Sequence, residues 1–76
     1  MRKEIIEFRE IETDLFEIEL GAYELTVEQN KKLRTELEKM FSTGVYTFID
    51  SDSFRCVIKN VDYDDLKMLE ELGWSF

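Results

Sequence analysis

Residues 4–11, EIIEFREI, decide the fold, because they admit two readings with different consequences. Ile6 and Phe8 alternate as on a strand, while Ile11 falls out of phase and needs a bulge to be accommodated. Read as a helix instead, Phe8, Ile11, Leu15 and Ile18 follow heptad spacing. The β-branched content and the Thr13-Asp14 turn signal favour a hairpin with LFEIEL (15–20). There Phe16, Ile18 and Leu20 share one face and Glu17 and Glu19 the other, the period of a half-buried strand.

Beyond this hairpin the signals are sharper. Thr26 opens a helix, with Thr26 and Gln29 in capping-box spacing and Val27, Leu33, Leu37, Met40 and Phe41 as its apolar stripe. Gly44 is the expected stop. VYTFID (45–50) and FRCVIK (54–59) read as a second hairpin joined through Ser51, Asp52 and Ser53. Tyr46 and Phe48 share a face, as do Phe54, Cys56 and Ile58. Asp62 caps a second helix, with Asp64 and Asp65 in the first turn, where the helix dipole favours negative charge. Leu66, Leu69 and Leu72 form its stripe, Gly73 ends it, and Trp74 and Phe76 remain as an apolar tail.

The expected fold class is α+β, a small four-stranded antiparallel sheet in the order ββαββα with two helices on one face. Without a strand at 4–11 the remainder reads βαββα. A short last strand at Trp74–Phe76 would then make it ferredoxin-like.

Seventy-six residues without proline or a Gly/Ser linker make one domain, residues 1–76. Apolar residues at 43%, regularly spaced, argue for a folded chain despite 37% charged residues. A lone Cys56 builds no internal disulfide, and the opening MRKEIIEFREIE lacks the uninterrupted apolar run of a signal peptide, so the cytoplasm is the expected compartment. No segment approaches a membrane span.

Most chemistry is excluded by what the chain lacks. With no histidine there is no Ser-His or Cys-His pair, and mid-strand packing accounts for Cys56. Asp50-Ser-Asp52-Ser begins like a calcium loop, but Arg55 stands where glycine is needed and Val61 where glutamate is needed. Asp62-Tyr-Asp64-Asp65 fails at Gly73 in the same way. Transition-metal and phosphate-loop patterns are missing, so neither an enzyme nor a cofactor is expected.

What remains is charge. Eighteen acidic residues against ten basic give −8, which repels nucleic acid and favours a partner with a basic surface. Glu4, Glu7, Glu10, Glu12, Asp14, Glu17, Glu19, Glu24 and Glu28 face only Arg9 over 4–28, whereas Lys31, Lys32, Arg34 and Lys39 exceed Glu36 and Glu38 over 29–49. Solvation of a polar strand face explains part of this. Solvation is the commoner reason for such a face, but it leaves unexplained the like charges two residues apart and repeated on a neighbouring strand, which a fixed anion array imitating a nucleic-acid backbone would account for.

The expectation is a non-enzymatic, protein-binding inhibitor that occludes the basic, nucleic-acid-binding surface of a larger enzyme. Small acidic proteins that phages and mobile elements direct at host defence, anti-CRISPR proteins among them, offer the class analogy, and a phage origin would place the chain in the host cytosol. The expected contacts are Glu10, Glu12, Asp14, Glu17, Glu19, Asp62, Asp64 and Asp65, with Tyr63 as an anchor. The alternative is a structural or regulatory module, a homodimer or a small subunit, with an apolar seam at Trp74 and Phe76 or on the open sheet face.

Overall fold

The computed structural model describes residues 1–41, 45–50 and 52–76, with the backbone alone over 45–50. It is an α+β fold: an antiparallel sheet and two helices. The elements run β1 (Arg2–Glu12), β2 (Leu15–Tyr23), α1 (Val27–Met40), β3 (Val45–Asp50), β4 (Ser53–Val61) and α2 (Tyr63–Glu71). In the sheet the order is β1-β2-β4-β3, with β3 reaching β4 through its backbone pairing.

The ambiguous opening segment is strand β1, paired antiparallel with β2, and this overturns the ferredoxin-like alternative. The register shifts twice, between Ile5 and Glu7 and between Glu10 and Glu12, so Ile6 and Ile11 are the extra residues. The bulge at Ile11 is the one its phase requires. The bulge at Ile6 was not legible, and it sends Ile5 rather than Ile6 into the core.

One face of the sheet is apolar. Phe16, Ile18, Leu20 and Ala22 of β2 and Phe54, Cys56 and Ile58 of β4 are all buried, and they form one core cluster with Leu33 and Leu37 of α1 and Leu66 and Leu69 of α2. Near its end β4 bulges too, since Phe16 pairs Val61 while Ile18 pairs Ile58. Asn60 takes the left-handed conformation there, φ +59, which asparagine tolerates better than most residues.

Both helices start on reciprocal caps. The Thr26 hydroxyl accepts from the Gln29 amide at 3.1 Å while Gln29 Oε1 accepts from the Thr26 amide at 2.9 Å. Asp62 and Asp65 do the same for α2, at 2.8 and 3.2 Å. The buried stripe of α1 begins at Asn30, and Val27 is 63% exposed, because the helical step puts it on the flank of Asn30, Leu33 and Leu37. The helix ends on Phe41, and Gly44, its expected stop, lies outside the described residues, as do the side chains of Tyr46 and Phe48 and residue Ser51.

The end of α2 places the last core residue. Gly73, at φ +98, lets the Trp74 amide donate back to Leu69 O and the Gly73 amide to Glu70 O, both at 3.0 Å, a Schellman turn. Lys3 Nζ adds a hydrogen bond to Leu72 O and lies 5.7 Å from the Trp74 ring centre. Trp74 is therefore core, 1% exposed, and not part of an apolar tail; Leu72, expected in the stripe, is at the surface. Ser75 then forms a parallel bridge with Glu4 on the outer edge of β1, its carbonyl accepting from the Ile5 amide at 2.7 Å.

Candidate protein-binding surface

The expected contact residues fall into two environments. Glu17 and Glu19 point away from the core, onto the open face of the sheet, but they are not free anions. Arg9, directly opposite Glu17 on β1, forms an ion pair with it, and Lys59 of β4 approaches Glu17 at 3.9 Å. Arg55 stands 3.7 Å from Glu19. The two carboxylate side chains are only 19% and 23% exposed. Cross-strand cations thus relieve the repulsion that like charges two residues apart would otherwise create.

The second environment is one end of the sheet. Because Phe16 pairs with Glu10 on β1 and with Val61 on β4, the β1–β2 turn and the first turn of α2 are brought alongside each other. Glu10, Glu12 and Asp14 come from the turn, where Asp14 adopts φ +62 and its amide donates to Glu10 Oε2 at 3.4 Å. Asp62, Tyr63, Asp64 and Asp65 come from the helix start. Among the described residues none of these six carboxylates carries an ion pair, although Asp62 and Asp65 also close the helix cap.

Between the two acidic groups lies a row of rings. Buried Phe16 stacks on Phe8 with centroids 4.4 Å apart and meets Tyr63 edge-on at 5.1 Å; Phe8 in turn meets Phe76 at 5.8 Å. Tyr63 is 59% exposed, Phe8 41% and Phe76 76%. An exposed aromatic row rimmed by unpaired carboxylates has the make-up of an interface centre. Tyr63 is expected from sequence as an anchor and Phe76 as part of an apolar seam; Phe8 is not expected, because nothing in the linear chain says that α2 leaves the outer part of β1 uncovered.

The seam imagined for self-association changes accordingly. Trp74 is unavailable, and the open face carries the Arg9, Glu17, Lys59, Glu19 and Arg55 charges. Cys56 is fully buried. Among the described residues no group of three or more Cys, Asp or Glu is arranged to hold a metal ion, and no helix is long and apolar enough to cross a membrane. Comparison with known proteins finds no matching family model, curated protein or solved structure.

Proposed function

We propose that this chain is a non-catalytic protein-binding module that docks its acidic, aromatic end on a basic surface of a larger protein and blocks that surface by occupying it. The two hairpin–helix units, ββα twice over, are the rigid frame. Glu10, Glu12, Asp14, Asp62, Asp64 and Asp65 supply the charge, and Tyr63, Phe8 and Phe76 supply the desolvated centre. Glu17 and Glu19 belong to the frame in this reading, since their charge is already answered within the sheet.

The observation that carries the proposal is the convergence, from two distant segments around exposed rings, of six carboxylates that carry no ion pair among the described residues. Fixed anions steer a basic partner and set its orientation, whereas buried rings supply most of the affinity. A surface built to grip phosphates offers the matching positive field, so nucleic-acid-binding enzymes, defence enzymes among them, are the partner class to test first.

The test is capture of such an enzyme by the immobilised chain at low and high salt, with duplex DNA as competitor. Capture that weakens with salt, is displaced by DNA, and is lost when Asp14 and Asp64 are both changed to lysine supports occlusion. Capture that ignores DNA and both substitutions rejects it.

A further inference from the structure

The exposed row of rings runs out onto the edge strand, and that edge is open. Among the described residues β1 has only the β2 side paired, apart from the bridge that Ser75 makes at Glu4. Edges of this kind are ordinarily closed or blunted, because their free amides and carbonyls recruit another strand. Here the blunting is partial. Bulges at Ile6 and Ile11 bound a regular run, Glu7 to Glu10, that pairs in unbroken register with Glu19, Ile18, Glu17 and Phe16. The Ile5–Ser75 hydrogen bond shows that the outer edge accepts a strand-like partner just before this run begins.

Resting on the proposed function, we infer that the outer edge of β1 over Glu7–Glu10 takes an extended, basic segment of the partner as an added strand, with apolar residues of that segment seated on Phe8 and Phe76. Strand addition gives affinity through the backbone and selectivity through alternate side chains. Charge chooses the occupant. Over Glu7–Glu10 the edge carries Glu7 and Glu10 against Arg9, whose charge is already answered by Glu17, so the run presents an excess of negative charge. A second copy of this chain would bring the same excess to the same edge, so self-pairing is opposed, whereas lysine or arginine on alternate positions is favoured. The apolar requirement comes from the neighbouring rings, since Phe8 lies beside Ile18 in register and Phe76 meets it edge-on.

The probe is a peptide of about six residues alternating lysine and valine, an ordinary strand length. It is compared with the same sequence N-methylated at alternate residues, which keeps every charge and side chain but removes donors. Binding is read by fluorescence anisotropy, and amide hydrogen exchange is followed along β1. The expected result is at least about tenfold weaker binding of the methylated peptide. Slowed exchange confined to β1 and loss of binding in Phe8→Ala are also expected, with Phe8→Leu retaining most of it. Equal affinity for both peptides, or no protection on β1, overturns strand addition. Capture of the basic enzyme that survives Phe8→Ala but not the Asp14/Asp64 reversal also overturns it while leaving the occlusion reading intact. Capture that survives the reversal as well rejects both.

Discussion

Arg9 sits directly across from Glu17 in the β1–β2 register and closes an ion pair on it, with Lys59 approaching the same carboxylate from β4. This pairing turns what looks like half of an anion array into part of the sheet's own bonding. It separates the carboxylates into those that hold the frame and those that face outward.

Glu17→Gln should therefore lower stability by about 1 kcal/mol, the upper part of the range for a partly exposed ion pair. Capture of a basic partner should stay unchanged. Urea denaturation and the capture assay check the two halves separately. Loss of capture without loss of stability would return Glu17 to the binding surface.

The caps are next. Thr26→Ala and Asp62→Ala should each cost about 1 kcal/mol, since each strands a backbone donor that the cap satisfies. Asp62→Asn should keep most of that stability while removing one charge from the acidic end. Asp62→Asn is thus a clean probe of whether that charge matters for binding. Denaturant midpoints of the three variants, compared at equal slope, give the answer.

Two glycines make opposite demands. At Gly73 the difficulty is the backbone, at φ +98, and alanine there should cost roughly 1 kcal/mol or more. At Gly21 it is space, because an added Cβ would meet the Tyr23 hydroxyl at 2.5 Å and Ile6 Cδ1 at 2.6 Å. Gly21→Ala should displace Tyr23 and Ile6 on the open face and leave the core cluster in place. Tyrosine ring signals in the NMR spectrum should shift, and those of Trp74 should not.

The core tolerates little. Leu37 is 1% exposed at the centre of the α1 stripe, and Leu37→Ala should cost about 2–5 kcal/mol. A domain of this length has roughly 4–11 kcal/mol in all, at 0.05–0.15 kcal/mol per residue. Thermal melting should show a steep drop or no cooperative transition.

Local rules carried much of this fold. The alternation in LFEIEL, the Thr26 capping box, the Asp62 cap and the Gly73 stop are each set by a few neighbouring residues, and each is legible in the chain. Long-range facts were not. The bulge at Ile6 reverses which isoleucine is buried, and only pairing with β2 specifies it. The burial of Trp74 depends on a turn that folds the chain back over Leu69 and on Lys3 from the opposite end of the sequence. For the site, the acidic segments were readable as charges, but which of them are answered by Arg9, Arg55 and Lys59 is decided by register across three strands. The same holds for Phe8, whose exposure follows from where α2 lies rather than from its own position in the alternation.

The most direct test of the central claim is the salt dependence of partner affinity, measured by titration calorimetry for the native chain, for the Asp14→Lys/Asp64→Lys variant and for Glu17→Gln. The account predicts affinity that falls steeply as salt rises in the native chain and in Glu17→Gln, and is absent in the doubly reversed variant. Affinity that is indifferent to salt, or that persists after the double reversal, contradicts it.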